Sequence, residues 1–453
     1  MKALLVFPAI SLDERYGKKS VGEIGGHLPP LGLCYLAAML EKQGIECKIL
    51  DMPAQQLEVK DVLEEIKKFR PDFVGISALT PTISRTAELS KKIREKFPKV
   101  YLVIGGPHAS LLPEQTLKLT NADFVITGEG EKAIVKIAKE LKKLKRHSII
   151  KGELIENLDE LPMPARHLLD LSKYSALPNN YKKNPRVLNV LASRGCPFNC
   201  TFCCKTEGTR RYRVRSAENV IAELKELKEK YGIQEIAFWD DIFTIKREWV
   251  KKLCEKMIEE KIDFPWSCET RVQLVDKELL ELMKKAGCWN IFYGIEAGDQ
   301  TLLDNINKGI KLEDVRKAVK LTKEAGIEIR GSFMIGLPGE TPELAEKTIN
   351  FAIELDPDYA QFSITTPFPG TELYKTASKF GKLDENFENY NEWQPVFVPF
   401  GYKNAEEVVK MQKKAFKKFY IRPAYVLKRI SKIRSPQDFF KNLKGLRMII
   451  GLS

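Results

Sequence analysis

Three cysteines are crowded into eight residues of the chain, Cys204 follows them directly, and the other five are scattered along its length. Cys196, Cys200 and Cys203 follow a C-x3-C-x2-C spacing, directly after a run of strand-like residues. Three thiolates at this spacing can bind three irons of a [4Fe–4S] cubane and leave the fourth iron open for a substrate. A tetrahedral zinc site needs four ligands, commonly as two separated pairs, and the sequence offers no second pair. The spacing therefore favours an iron–sulfur cluster.

This spacing is the signature of the radical S-adenosylmethionine (SAM) enzymes, and the segment 187–371 resembles that family. The resemblance implies that the open iron binds the amino and carboxylate groups of SAM. It also implies that reduction of the cluster cleaves SAM to a 5′-deoxyadenosyl radical, which removes a hydrogen from an unactivated carbon. Phe202 and Gly336 would lie near the adenine of SAM, with Gly336 permitting a close approach of the backbone.

The same resemblance assigns further SAM contacts to the ends of predicted strands. Asp240 or Asp241 would accept a hydrogen bond from the SAM ammonium, although the family often has Gly-Gly-Glu there. A helix N-cap is the alternative role for Asp241. Arg271 would pair with the SAM carboxylate, or else form a structural pair with Glu269. Glu296 would hold the ribose hydroxyls of SAM.

The elements that must position these residues form two series of alternating strands and helices. Strand patterns at 2–7, 46–52, 73–79, 100–106 and 123–128 are rich in Val and Ile and predict a flavodoxin-like, doubly wound parallel sheet. Strand patterns at 187–193, 235–241, 265–271, 290–297, 327–337 and 359–366 predict a partial (βα)6 barrel. Functional groups of such barrels gather at the C-terminal strand ends. We predict an α/β domain at 1–150, a linker at 151–185, the barrel at 186–400 and an α-helical tail at 401–453.

The first domain resembles the B12-binding domains that are fused to radical SAM barrels. The resemblance is carried by the runs FVGISALTPT (73–82), VIGGPHAS (103–110) and DFVITGEGE (123–131). It implies a cobalamin cofactor held by three groups of residues. Ser77, Leu79 and Thr80 would contact its dimethylbenzimidazole tail and corrin, Gly105 and Gly106 would let the nucleotide loop lie flat, and Gly128, Glu129 and Gly130 would sit at the corrin edge.

Many B12 proteins carry Asp-x-His-x-x-Gly after the first strand, with the histidine as a cobalt ligand. The only similar run here, at 13–17, has no histidine. The resemblance therefore predicts cobalamin without a histidine lower ligand. The nearest histidines are His27 and His108, for which a loop position and a turn or lining position are the favoured roles. A domain that recognises only the substrate, without cobalamin, remains an alternative.

The net charge of +13 is concentrated at one end of the chain. Thirteen Lys and Arg residues and a single acid lie in 410–453, so the rest of the protein is nearly neutral. Nucleic-acid binding is thus not expected of the body. The tail alternates apolar and cationic residues, which suits either an anionic membrane surface or packing on the barrel. The apolar run at 448–452 favours the membrane alternative.

The resemblance also implies a reaction and its partners. The run at 366–371 resembles the branch that includes anaerobic magnesium-protoporphyrin ester cyclase and the hopanoid and archaeal-lipid enzymes. We expect methylation of an unactivated carbon of a lipid-like substrate, with cobalamin carrying the methyl group. Cyclisation without methyl transfer and a non-catalytic sensor are the alternatives. A flavodoxin- or ferredoxin-type electron donor and a cytoplasmic location, with contact to the inner membrane face, are expected.

Overall fold

The protein is described here from a computed structural model, which covers residues 1–9, 27–174, 186–206, 208–391, 393–433, 439, 440 and 443. The run at 13–17 and the apolar run at 448–452 lie outside the described residues.

The first domain is a single sheet of six parallel strands. Their spatial order is β2-β1-β3-β4-β5-β6, for β1 Lys2–Phe7, β2 Glu46–Asp51, β3 Phe73–Ser77, β4 Tyr101–Gly105, β5 Phe124–Thr127 and β6 Ser148–Lys151. The helices are α1 Leu31–Glu41, α2 Met52–Gln55, α3 Val59–Phe69, α4 Ile83–Lys96, α5 Pro107–Leu111, α6 Pro113–Thr120 and α7 Gly130–Glu140. Two apolar cores lie on opposite faces of the sheet. The predicted flavodoxin-like order is confirmed, with β6 added at the edge.

The second domain is an open barrel of six parallel strands. Their order is β14-β13-β12-β11-β10-β7, for β7 Val187–Val190, β10 Glu235–Phe238, β11 Trp266–Thr270, β12 Cys288–Glu296, β13 Glu328–Ile335 and β14 Tyr359–Ile364. The intervening helices are α8 Ala217–Tyr231, α9 Arg247–Glu259, α10 Lys277–Lys285, α11 Gln300–Asn305, α12 Leu312–Glu324 and α13 Pro342–Leu355. The predicted partial barrel is confirmed.

Several shorter elements surround the barrel. A two-stranded hairpin, β8 Ser193–Arg194 and β9 Arg213–Val214, flanks the cysteine motif. A short helix, α14 Glu372–Thr376, follows β14, and a second hairpin is made of β15 Gly381–Leu383 and β16 Phe397–Pro399. Because these strand pairings depend on tertiary contacts, no periodic pattern in the sequence predicts them.

The segment after β6 is packed and is not a free linker. Ala165, Leu169 and Tyr174 belong to a core of the first domain, and the Tyr174 hydroxyl donates to Asp51 at 2.9 Å. Arg166 forms a buried ion pair with Glu223 of α8 at 2.6 Å. The segment therefore ties the two domains together.

The tail forms two helices on the outside of the barrel, α15 Ala405–Tyr420 and α16 Pro423–Ser431. One face of α15 is buried among the barrel residues, as the complete burial of Phe419 shows. Arg422 and Lys428 pair with Asp356, and Lys432 pairs with Glu328 at 2.8 Å. This part of the tail therefore takes the packing alternative, and barrel acids neutralise much of its charge.

Within the described part of the chain, no helix is both long and apolar enough to cross a bilayer.

Candidate functional site

The cysteine loop lies at the carboxyl end of the barrel and is anchored by backbone hydrogen bonds. Gly195 has a positive φ of 88°, and a Cβ there would collide with the Arg211 backbone. The Cys196 amide donates to the Thr209 carbonyl at 2.8 Å, and the Thr201 amide donates to the Ile306 carbonyl at 2.9 Å. These bonds hold the loop between the β8–β9 hairpin and the end of α11.

The three thiols form no disulfide, and that of Cys200 lies beside a cationic group. Arg271 Nη1 is 3.3 Å from the Sγ of Cys200. A hydrogen bond from Cys203, followed by the charges of Lys308 and Arg271, lowers the pKa of Cys200 to about 5. Among the described residues, no group of three His, Cys, Asp or Glu side chains is placed to bind a single metal ion. A [4Fe–4S] cubane does not need such a group, because each thiolate binds a different iron. A thiol set in a cationic setting fits a [4Fe–4S] cluster, which Cys196, Cys200 and Cys203 would hold.

Arg271 supports the cysteine loop and does not pair with Glu269. Its guanidinium lies 4.0 Å from the ring centroid of Phe198 and donates to the backbone carbonyl of Lys308. The side chain is 4% exposed. Arg271 is therefore already engaged by the protein, at the place where the sequence predicts a contact to the SAM carboxylate.

Glu296 and Lys308 form a buried ion pair next to the cysteine loop. Their Oε1 and Nζ atoms are 2.7 Å apart, and both side chains are under 10% exposed. Lys308 Nζ also lies 5.7 Å from the ring centroid of Phe202. Lys308 thus links Glu296 and Phe202, the two predicted SAM contacts, and was itself not predicted. A lysine twelve residues beyond Glu296 carries no local signal.

The two aspartates at the end of β10 point in different directions. Asp240 is buried and accepts hydrogen bonds from the Ser193 hydroxyl and the Ala192 amide. Burial raises its pKa to about 7. Asp241 is exposed, accepts from the Gly195 amide at 3.2 Å and faces a cavity. Only Asp241 is thus placed to meet a cofactor, whereas Asp240 holds the base of the cysteine loop.

A cavity of about 400 Å³ lies between the two domains. The first domain contributes Ser77, Gly105, Gly106, Gly128, Glu129 and Gly130 to its lining, together with Gly32, Gly75 and Tyr35. The second contributes Ser193, Arg194, Gly195, Arg213, Trp239 and Asp241. Six predicted cobalamin contacts therefore meet Asp241 and the start of the cysteine loop. Trp239, 43% exposed, was not predicted, although an aromatic at a strand end was a visible signal.

Six glycines of the first domain line this cavity, together with apolar side chains such as Leu33 and Ile76. Gly106 has a φ of 100°, and a Cβ there would lie 2.9 Å from the carbonyl oxygen of Ala78 and 3.0 Å from the Ser77 hydroxyl. A residue with a side chain would be strained there and would clash with the backbone of Ala78. An open, glycine-lined floor between the domains fits a broad, flat ligand such as the corrin of cobalamin.

Leu79 and Thr80 lie outside the lining of the cavity. Thr80 is buried, and its hydroxyl lies 3.1 Å from Nδ1 of His108. His108 is fully buried, and burial lowers its pKa to about 4. Thr80 and His108 therefore pack against each other, outside the residues that line the cavity.

Glu129 lines the cavity, but its carboxylate is bound by arginines of the second domain. Arg213 contacts both of its oxygens, and Arg194 Nη1 lies 3.2 Å from Oε1. Arg194 also pairs with Glu131 at 2.6 Å. The carboxylate therefore reaches the strands that flank the cysteine loop, while Glu129 stays part of the cavity lining.

Gly336 ends β13 with a φ of 83°, and its amide donates to Glu340 at 2.6 Å. The Tyr402 hydroxyl donates to the same oxygen of Glu340 at 2.6 Å. A Cβ on Gly336 would lie 3.3 Å from Val408 of α15. The turn is therefore packed under the tail.

Two family profiles match the chain in the order of its domains. The B12 binding domain matches residues 17–138, and the Radical SAM superfamily matches residues 190–352. Both predicted domain types are thus confirmed, and the family combines SAM, a [4Fe–4S] cluster and cobalamin.

Similar proteins share this arrangement over most of their length. An uncharacterized methyltransferase of Pyrococcus horikoshii is 37% identical, with 95% of each chain covered. The anaerobic magnesium-protoporphyrin IX monomethyl ester cyclase of Rubrivivax gelatinosus is 29% identical over 89% of this chain and 76% of its own. The hopanoid C-3 methylase of Methylococcus capsulatus is 30% identical, with 78% of this chain and 69% of its own covered.

The fold is shared with the radical SAM methyltransferase TsrM of Kitasatospora setae, solved with cobalamin and a [4Fe–4S] cluster. Its TM-score is 0.71 at 17% identity, with 99% of this chain and 98% of that chain covered. Together with the identity and coverage of the Pyrococcus relative, these matches show that the chain is an enzyme of the B12-binding radical SAM family, among the cobalamin-dependent methyltransferases and their cyclase relatives.

Proposed function

We propose that this enzyme transfers a methyl group to an unactivated carbon of a hydrophobic, lipid-like substrate. The observation that carries the proposal is the shared cavity. Its glycine floor belongs to the B12-binding domain, and its opposite wall holds Gly195 and Asp241 at the start of the cysteine loop and the end of β10. A substrate in this cavity would touch both cofactor sites at once.

When bound, the cluster and cobalamin supply the reductive cleavage of SAM and the carriage of a methyl group. The chain supplies orientation. Asp241 is positioned to accept a hydrogen bond from the SAM ammonium. Lys308 lies between Glu296 and the Phe202 ring, where its charge suits the SAM carboxylate. Trp239 presents apolar surface in the same cavity and excludes water from part of it.

One relative and the lining of the cavity support a lipid or a related apolar substrate. The hopanoid C-3 methylase is named for methylation of a lipid, and the cavity here is lined by Leu5, Leu33, Leu36, Ile76 and Ile134 as well as by glycines. Cyclisation without methyl transfer is the second candidate, because the magnesium-protoporphyrin ester cyclase is also a relative over most of this chain.

We propose that cobalt has no histidine ligand on its lower face. None of the described residues that line the cavity is a histidine, and the His108 imidazole is directed to Thr80. A flavodoxin- or ferredoxin-type protein is the proposed electron donor. We also propose a cytoplasmic enzyme that touches the inner membrane face through the outer side of α16, where Leu427 and Ile430 are exposed.

The experiment that tests the function is a labelled-methyl assay. The anaerobically reconstituted enzyme is reduced with SAM carrying a labelled methyl group and a membrane lipid extract, and the products are analysed by mass spectrometry. Label in a lipid product together with 5′-deoxyadenosine supports the methyltransferase. An unlabelled product with a new ring or carbon–carbon bond supports the cyclase, and absence of 5′-deoxyadenosine supports a sensor without catalysis.

A further inference from the structure

The inner face of the barrel sheet is not filled by side chains. Along β11, β13 and β14 buried and partly accessible side chains alternate strictly. The buried set packs outward in the core beneath the helices, as Cys268, Phe333 and Phe362 do. The alternate set points inward and keeps accessible surface, although it lies in the middle of the domain. These side chains therefore border accessible space on the inner face of the sheet, which we call the chamber.

The inward side chains are ordered in layers by the strand register. Glu269 is paired with Phe292, Phe292 with Arg330, and Arg330 with Tyr359. These four residues form one layer that crosses four strands. The layers nearer the carboxyl ends contain Gly294, Ser332, Met334, Gln361 and Ser363. One cation and one acid thus share a layer in an otherwise uncharged part of the chamber.

Arg330 is a deeply enclosed cation without a protein acceptor. Its guanidinium carbon lies 4.6 Å from the ring centroid of Phe292, and Nε has no hydrogen-bond partner. Burial lowers its pKa, yet an arginine side chain remains charged in proteins. No carboxylate of the described residues pairs with it within 4 Å. Because an enclosed charge without a partner is costly, a ligand that supplies an acceptor would bind strongly here.

Glu269 does not neutralise Arg330 completely. Burial raises the pKa of Glu269, the charge of Arg330 opposes that rise, and Asp241 adds to it. The charges of both Arg330 and Asp241 therefore act on the Glu269 carboxyl. Asp241 lines the cofactor cavity. Glu269 nevertheless makes no ion pair with Arg330 within 4 Å, so the guanidinium has no carboxylate of the described residues in direct contact.

We propose that Arg330 binds an anionic group of the substrate, a carboxylate or a phosphoryl group, while Phe292 and Met334 contact the apolar part of the same molecule. This inference rests on the proposed function, since it names the polar end of the molecule that is methylated. The substrate is then an amphipathic acid whose charged end lies in the chamber and whose apolar part reaches the cofactor cavity.

The test measures binding of four probes with the same chain to the reconstituted holoenzyme in the presence of SAM. Octanoate and octyl phosphate are anionic, octanol is neutral and octylamine is cationic. Binding is measured anaerobically by isothermal titration calorimetry. We expect at least one anionic probe to bind about tenfold more tightly than octanol, which corresponds to one charge-assisted hydrogen-bonded contact. Whichever anion binds more tightly identifies the source of the negative charge.

The variants separate Arg330 from its neighbours. Arg330→Gln should bring the binding of the preferred anion to within about twofold of octanol, and Arg330→Lys should keep part of the preference. Glu269→Gln removes the nearby negative charge and should leave anion binding equal or tighter. Arg316→Gln is the control, because Arg316 lies on the outer helix α12 and pairs with Glu354 at the surface. It should behave as the wild type.

Several outcomes overturn the inference. The inference fails if the wild type binds octanol or octylamine more tightly than the anionic probes. It also fails if Arg330→Gln loses stability but still prefers the anionic probes. If Arg330→Gln does not fold, the wild-type probe series and Arg330→Lys still decide. Failure of this inference can be distinguished from failure of the proposed function, because methyl transfer is measured in a separate assay. Labelled product without anion preference defeats only this inference, whereas anion preference without labelled product defeats only the methyltransferase proposal.

Discussion

Arg213 donates a hydrogen bond from each of its two terminal nitrogens to a different carboxylate oxygen of Glu129, at 2.9 and 2.8 Å. Glu129 belongs to the loop before α7 of the B12-binding domain, and Arg213 begins β9 beside the cysteine loop. Arg194, two residues before Cys196, adds a second link to Glu131. The cobalamin side and the cluster side of the cavity are therefore joined by a bidentate, nearly buried ion pair.

Glu129→Gln should destabilise the protein because Arg213 loses its counter-charge while it stays buried, whereas Arg194 keeps its pair with Glu131. We expect the free energy of unfolding to fall by about 1–3 kcal/mol, below the full cost of breaking a buried pair because Glu129 retains some exposure. Urea unfolding measures the change. Glu153→Gln is the control, since its pair with Lys132 is exposed and should be worth under about 1 kcal/mol. Equal losses in the two variants would refute the interdomain role.

The same pair should make stability depend on pH. Burial raises the pKa of Glu129. The hydrogen bonds from Arg213 and the Ile155 amide and the charge of Arg194 lower the pKa by more than burial raises it, so the net shift is downward. The stabilisation is then complete above the ordinary value of 4.5 and is lost as the pH falls below it. Glu129→Gln should lose this acid-side dependence.

Cys200→Ala should abolish cluster binding, because an iron of the cubane loses its thiolate. We expect 5′-deoxyadenosine formation below about 1% of the wild type, beyond the roughly 10- to 100-fold losses typical of outer residues around metals. Iron content and product formation are measured after anaerobic reconstitution. Cys204→Ala is the matched control, being exposed and adjacent to Cys203. Normal iron content in Cys200→Ala, or its loss in Cys204→Ala, would contradict the assignment.

The regular elements of both domains were predictable because their apolar runs are long enough to show a period. β6, by contrast, has four residues with alternating exposure, and β8 and β9 have two residues each. A strand this short is defined by its partner and not by its own composition. The packing of 165–174 into the first domain was hidden for the same reason.

The position of the cysteine motif was predictable because its spacing is local, whereas the direction of each side chain was not. Asp240 and Asp241 are neighbours, yet one is turned toward Ser193 and the other toward the cavity. Glu129 lines the cavity, and arginines 65 and 84 positions away bind its carboxylate. Such long-range ion pairs leave no trace in a local pattern.

Lys308→Met should destabilise the enzyme by about 3–5 kcal/mol, because it leaves the Glu296 carboxylate buried without a counter-charge. Adding Glu296→Gln to Lys308→Met should restore part of the loss, and Lys308→Arg should lose less. Urea unfolding of the wild type, Lys308→Met, Glu296→Gln and the double variant gives the coupling energy. Lys347→Met is the control. It breaks the ion pair between the exposed Lys347 and Asp299, and it should lower the free energy of unfolding by under about 1 kcal/mol. A coupling energy near zero would show that the pair is not a unit.

Leu427→Glu combined with Ile430→Glu should weaken binding to anionic liposomes by more than about tenfold, since two apolar side chains on α16 are replaced by negative charges. Co-sedimentation with phosphatidylserine vesicles measures the effect. Leu119→Glu, on α6 of the first domain, is the control because Leu119 is also an exposed apolar residue. If the wild type does not sediment, or if the control loses as much binding, the tail does not dock on membranes.

Glu340→Gln should stabilise the protein near pH 7 and above and flatten its pH dependence. Burial raises the pKa of Glu340 from 4.5 to about 7, so the native state binds a proton that the unfolded state releases between these values. Stability of the wild type therefore falls as the pH rises from about 4.5 to about 7, by at most about 3 kcal/mol.

Glutamine suits this position because Oε1 of Glu340 accepts both hydrogen bonds, from Gly336 and Tyr402, while Oε2 has no partner. The amide keeps the acceptor and removes the charge. Thermal unfolding at pH 5 and pH 8 measures the difference between variant and wild type. Glu343→Gln, at an exposed carboxyl three residues away, is the control. An unchanged pH dependence in Glu340→Gln would mean that another group holds the proton, and Asp240, whose pKa burial also raises to about 7, would be tested next.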